Sequence, residues 1–117
     1  MYLYAELWKA RPEWLELSKE ERKAWFDKLL GSLQEQLAAG VEPLGFAAND
    51  KDTPLSAGYD FIGLWKMPSK QIAEQFEAFV ERAGWHNYFE QVNARGQFMD
   101  IDVFSSSHIN LENQKHI

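Results

Sequence analysis

The succession of hydrophobic periods along this chain restricts it to very few folds. Apolar residues recur at every second position over residues 1–8, 41–48, 59–67 and 98–104, the period of half-buried strands. Two longer stretches, 19–39 and 70–83, instead carry the spacing of amphipathic helices. The predicted order is strand, helix, strand, strand, helix, strand. This is the split βαβ or ferredoxin-like plan, an α+β fold with a four-stranded antiparallel sheet and two main helices on one face. Two helices cover a single face of such a sheet, so the other face is left for solvent or a partner.

Local signals fill in the plan. Ser18, Lys19, Glu20 and Glu21 match a capping box, followed by the stripe Phe26, Leu29, Leu30, Leu33 and Leu37. Gly40 supplies the residue that ends this helix. Pro43 and Gly45 mark the second strand as an edge or bulged strand. Residues 49–58 are too long a connection for a tight hairpin, and Asn49, Asp50, Lys51 and Asp52 read as a solvated loop. Tyr59, Phe61, Gly63, Trp65 and Met67 share one face of the third strand. Pro68 and Ser69 open the second helix, with the stripe Ile72, Ala73, Phe76, Phe79, Val80 and Ala83. Beyond Gly84, residues 85–92 read as a short helix and 93–96 as a turn. The last strand then sets Ile101 and Val103 against Asp100, Asp102 and Phe104. One domain over 1–104 and a polar tail over 105–117 are expected.

Charge and composition narrow the function classes. The net charge of −6, with Lys and Arg scattered among acidic residues, argues against nucleic-acid binding, which rests on phosphate neutralisation. The absence of cysteine removes disulfides and thiolate metal sites. No segment reads as a signal peptide or membrane span, so a cytoplasmic protein is expected. Five Trp, four Tyr and eight Phe exceed what packing alone asks of a small domain, which suggests an interface or a pocket. The first strand alternates Met1, Leu3, Ala5 and Leu7 with Tyr2, Tyr4, Glu6 and Trp8. If the aliphatic set lies beneath the helices, the aromatic set is left on the bare face. Glu6, Asp100 and Asp102 give that face the wrong sign for RNA. Self-association face to face, a homodimer closing both sheets into one barrel, is the expectation.

Three stretches carry a family resemblance. Residues 1–8 (MYLYAELW), 65–68 (WKMP) and 84–96 (GWHNYFEQVNARG) resemble a group of short, uncharacterised bacterial proteins of the dimeric α/β-barrel superfamily. The resemblance implies the fold and the homodimer. The wider superfamily includes antibiotic-biosynthesis monooxygenases, haem-degrading monooxygenases, muconolactone isomerases and polyketide cyclases, so one scaffold hosts several chemistries. It implies, for haem-degrading members, a Trp on the third strand, a His on the second helix and an Asn on the first strand. Trp65 and His86 match by position, whereas the first strand offers Glu6 in place of the Asn.

The residues themselves offer further candidates, each beside a plainer structural role. Glu6 among aromatic neighbours has the setting of a general base, or of a strand-face carboxylate paired with a cation. His86 and Glu90 have ligand spacing on a helix, but no third ligand accompanies them, so no metal site is expected. Arg95 could hold a substrate carboxylate or cap the preceding helix. No phosphate-cradling glycine loop, nucleophile elbow or cofactor fingerprint is present, and no cofactor is expected. Three functional readings follow. One is a small-molecule binder with an aromatic pocket between sheet and helices, formed by Trp65, Tyr59, Asn49, Tyr88 and Arg95. The second is a cofactor-independent monooxygenase, isomerase or cyclase, with His86, Glu6 and Trp65 as candidate catalytic residues. The third is a dimer whose aromatics are core and interface only.

Overall fold

A computed structural model describes residues 1–112. Its elements are β1 (Tyr2–Ala10), α1 (Pro12–Leu15), α2 (Lys19–Ala38), β2 (Glu42–Ala48), β3 (Phe61–Met67), α3 (Lys70–Arg82), α4 (Trp85–Tyr88), β4 (Phe89–Gln97) and α5 (Ile101–Ile109). The sheet has strand order β2-β3-β1-β4, with every neighbouring pair antiparallel. This is the ferredoxin-like arrangement, with α2 and α3 over one face. No helix among the described residues is long and apolar enough to cross a membrane.

The helix signals act as the sequence suggests. Ser18 and Glu21 form a reciprocal capping box, with Ser18 Oγ accepting from the Glu21 amide and Glu21 Oε1 accepting from the Ser18 amide. Ser69 caps α3 by accepting from the Ile72 amide. Gly40 follows α2 with φ of 107°, and a Cβ there would lie 2.6 Å from Cγ of Pro68. The end of α2 is thus pressed against the start of α3, in a conformation that glycine alone adopts easily. In β2 the pairing with β3 shifts between Pro43 and Gly45, the irregularity those residues predict.

Two expectations are corrected. The fourth strand is Phe89–Gln97, not 98–104, so the predicted helix over 85–92 is the single turn α4 and the predicted turn over 93–96 is extended strand. Residues 101–109 form α5, because Asp100 accepts from the Val103 amide and caps a helix where alternation suggested a strand. Every residue of α5 is exposed, including Ile101, Val103, Phe104 and Ile109. The tail expected from 105 onward therefore begins inside α5, and residues 113–117 lie outside the described part of the chain.

The second correction concerns the sheet faces. Tyr4 and Glu6 are buried beneath the helices, and the aliphatic residues of β1 lie on the open face. Cross-strand register places Leu7 between Ile62 and Val92, and Ala5 between Leu64 and Ala94. The inversion follows from the helices, whose inward positions are themselves aromatic. Phe76 of α3 meets Tyr4 edge to face at 5.7 Å and lies 4.9 Å from Trp65, ring centre to ring centre. The core is Tyr4, Val41, Trp65, Met67, Ala73, Phe76 and Phe79, packed between α3 and the sheet. No residue of α2 is fully buried, although Phe26, Leu29 and Leu33 face inward. That helix roofs a space it does not fill.

Candidate functional site

The unfilled space is a cavity of about 490 Å³ between α2 and the sheet. Its floor is Glu6 and Trp8 of β1, Phe61 and Trp65 of β3 and Phe46 of β2, and its roof is Phe26, Leu29, Leu30 and Leu33 of α2. Phe76, Phe79 and Val80 of α3 close one side, and Trp14, Trp85 and Phe89 close another. Leu30 is 50 % exposed and Phe46 is 60 % exposed, so the mouth lies where these two side chains stand. The volume falls in the range of small-molecule sites, and so does the lining, mainly apolar with a convergent polar group.

The closed end is built from indoles and benzene rings. Trp14 and Trp25 meet edge to face at 5.5 Å, Trp8 and Trp85 at 5.7 Å, and Trp25 lies 6.0 Å from Trp85. Trp85 stacks on Phe89 at 4.2 Å. These rings come from three helices and two strands, which fixes α1 and α4 against α2 and the sheet.

Among the described residues, Glu6 is the only ionisable one on the cavity wall, and it is 6 % exposed. Its Oε1 accepts from Nε1 of Trp65 at 2.7 Å, and its Oε2 accepts from Nε2 of Gln91 at 3.0 Å. Gln91 is oriented in turn by Trp85, whose Nε1 donates to Gln91 Oε1 at 2.7 Å. The second amide proton of Gln91 goes to Asn93 Oδ1 at 2.8 Å. Burial pushes the Glu6 carboxyl above the usual glutamate range, and the hydrogen bonds from Trp65 and Gln91 offset part of that rise.

A separate network lies beside the cavity. Tyr4 donates to Glu77 Oε2 at 3.1 Å, and Arg95 pairs with Glu77 Oε1 at 2.8 Å. Burial, then the charges of Glu77 and Glu6, hold the Tyr4 hydroxyl well above the usual tyrosine range.

Of the residues singled out from sequence, Glu6 and Trp65 come together on the cavity wall. The others do not line it. His86 is exposed on α4, where its carbonyl accepts from Arg11 Nε at 3.0 Å. Asn49 bridges the β2–β3 connection through the carbonyls of Ala57 and Tyr59. Tyr59 lies under the Lys9 ammonium at 5.5 Å, and Tyr88 packs on Trp14 at 5.4 Å. Arg95 is held by Glu77 on α3. Glu90 is in β4, so His86 and Glu90 share no helix. No three His, Asp or Glu side chains gather into a metal-ligating group among the described residues. No histidine among the described residues lines the cavity, so the donors there do not fit a haem held in the way the resemblance implies. The sequence reading missed Gln91 and Trp85, which complete the carboxylate's surroundings. Alternation of Phe89 with Gln91 was the available signal for the strand that places Gln91.

Comparison with known proteins now has a geometry to refer to. The model of a family of unknown function, DUF6616, matches residues 1–111. The chain belongs to that family. No curated protein matches the sequence of this DUF6616 member. Among solved structures it is similar to a provisionally named chlorite dismutase, with a TM-score of 0.70 and 13 % identity over 90 % of this chain and 47 % of the other. A mutant chlorite dismutase from Candidatus Nitrospira defluvii gives 0.61 and 11 %, over 97 % and 49 % of the two chains. An Arabidopsis thaliana protein also gives 0.61, with 12 % identity, over 86 % and 98 %. The DUF6616 chain thus spans about half the length of the chlorite dismutases and nearly all of the plant protein. At these identities the likeness is one of fold.

Proposed function

We propose that this protein binds a small aromatic or apolar molecule in the cavity between α2 and the sheet. The observation that carries the reading is a cavity of about 490 Å³ walled by aromatic rings, with one buried carboxylate held by two N–H donors. A core that existed only to pack would close such a space, because interiors approach crystal density. A thermal-shift screen against neutral, cationic and anionic aromatic compounds tests the reading. Binding to the folded state raises the melting temperature. Shifts that vanish when Leu33→Trp fills the cavity support it, and no shift across all three classes overturns it.

The setting of Glu6 favours a second reading, a cofactor-independent isomerase or cyclase. A buried carboxylate with a raised proton affinity suits removal of a proton beside a carbonyl, and the same carboxyl can return that proton to another carbon. Turnover that is abolished by Glu6→Gln with folding intact supports this reading, and turnover that survives the change removes it.

The open face supports assembly as a homodimer. Leu3, Ala5, Leu7, Ile62, Leu64 and Val92 share it. Four strands about 4.8 Å apart and about 20 Å long present on the order of 400 Å² in outline. An exposed apolar patch of that order marks an interface. A second copy matches it in both shape and polarity, since a two-fold interface pairs one patch with itself. Sedimentation equilibrium tests this. A dimer that Leu64→Lys converts to monomer supports it, and a wild-type monomer at micromolar concentration overturns it.

A further inference from the structure

The carboxylate at the cavity floor receives two N–H donors suited to its ionised form, yet the described residues of the wall supply no cation to balance it. Trp65 donates to one oxygen and Gln91 to the other, and both donors are fixed by their own surroundings. Gln91 cannot turn its acceptor toward Glu6 without giving up the bond from Trp85. The protons of Trp65, Trp85 and Gln91 around the carboxylate are therefore engaged, and with Glu6 ionised this polar spot only accepts. A carboxylate has about four lone-pair positions, so two bonds leave acceptor capacity free. Among the described residues, no Lys, Arg or His lines the cavity.

The titratable groups near Glu6 do not provide the missing charge. On β1 there is Tyr4, on α3 Glu77 and on β4 Arg95, and these three are tied to one another. The wall residues contributed by α1, α2, α4, β2 and β3 are all uncharged. A buried charge without a partner is costly and is normally paired or neutralised.

We propose that the ligand itself brings the cation: the cavity takes an aromatic or alkyl amine whose ammonium pairs with Glu6. This deepens the small-molecule reading above and rests on it. The ammonium donates to the free lone pairs of Glu6, and the apolar part fills the aromatic chamber. Cations are also attracted to indole and benzene faces, which line this cavity on several sides. A protein of net charge −6 draws cations toward its surface and disfavours anions. An aromatic carboxylate would meet Glu6 with like charge. A neutral alcohol would bond to it without cancelling its charge.

Titration calorimetry of the folded protein with naphthylmethylamine, naphthylmethanol and naphthoate tests the assignment. The amine is expected to bind about ten-fold or more tightly than the alcohol, with naphthoate weakest. Glu6→Gln should remove the preference for the amine, bringing its affinity to about that of the alcohol. Because ammonium pairing favours the ionised carboxylate, amine binding in the wild type should also release protons near the Glu6 midpoint. That release appears as a binding heat that varies with the ionisation enthalpy of the buffer, and it needs no variant. Equal binding of amine and alcohol, or a preference that survives Glu6→Gln, overturns the amine assignment and leaves the cavity reading standing. Failure of all three compounds to bind overturns both.

Discussion

Trp65 reaches Glu6 diagonally: its indole nitrogen lies 2.7 Å from Glu6 Oε1, although the residue directly across from Glu6 on β3 is Gly63. The glycine has no side chain to intervene, and the carboxylate obtains its donor from two positions along the strand. One sheet position thus carries no side chain, and a neighbouring one does the polar work for both.

The first prediction concerns that indole. Trp65→Phe keeps an aromatic ring in the core and removes the N–H, leaving Glu6 Oε1 without its donor. A loss of about 1–3 kcal/mol in urea unfolding is expected, the usual penalty for a stranded buried acceptor. An unchanged midpoint would mean that water replaces the indole without penalty.

The second is a pH dependence. Burial raises the Glu6 carboxyl above its usual value of 4.5, so the folded chain holds that proton more firmly than the unfolded one. The contribution of Glu6 to stability is therefore fully present below 4.5 and is lost as pH rises through the folded midpoint. Glu21 has the opposite sign, because its carboxyl is lowered by the bonds to Ser18 and its contribution is lost as pH falls. Melting curves of the wild type and Glu6→Gln, compared across the acid range, should diverge in the direction set by Glu6. Parallel curves would contradict the raised carboxyl.

The third uses the glycine. A Cβ on Gly63 would lie 3.1 Å from Cζ3 of Trp8 and 3.2 Å from Cδ1 of Phe46. Both rings line the cavity, so they must move into or away from it. Gly63→Val should cost about 1–3 kcal/mol by overpacking and narrow the chamber, weakening binding of any ligand found there. Calorimetric affinity and urea stability read the two effects separately.

The fourth tests a local device remote from the cavity. Ser18→Ala removes the acceptor for the Glu21 amide and should destabilise by about 1 kcal/mol without changing ligand affinity. A change in affinity would show that the α2 N-terminus and the chamber are coupled.

Much of the fold was legible because β1, β3, α2 and α3 carry strong periods with matching caps. β4 was not, since Trp85, Tyr88, Phe89 and Val92 fit a helical spacing as well as they fit a turn of helix followed by a strand. At 98–104 the alternation of Asp with Ile and Val imitated a strand, and the capping role of Asp100 decided otherwise. The covered face was misjudged for a different reason. Aliphatic residues suit a helix-covered face in general, but the rings of Phe26, Phe76 and Phe79 make this one accept aromatics. Trp65 and Glu6 were visible as unusual residues in strands. Gln91 was not, because its importance depends on register between β1 and β4, which pattern alone does not reveal.

The indoles at the closed end of the chamber have an optical consequence. Trp14, Trp25, Trp85 and Trp8 belong to α1, α2, α4 and β1, and in that order successive members lie 5.5–6.0 Å apart. At such separations excitation passes from ring to ring and their transitions couple. The near-ultraviolet dichroism of this chain therefore records the mutual placement of four separate elements. Its emission comes from the linked set, so a change at α2 is registered by tryptophans that have not moved.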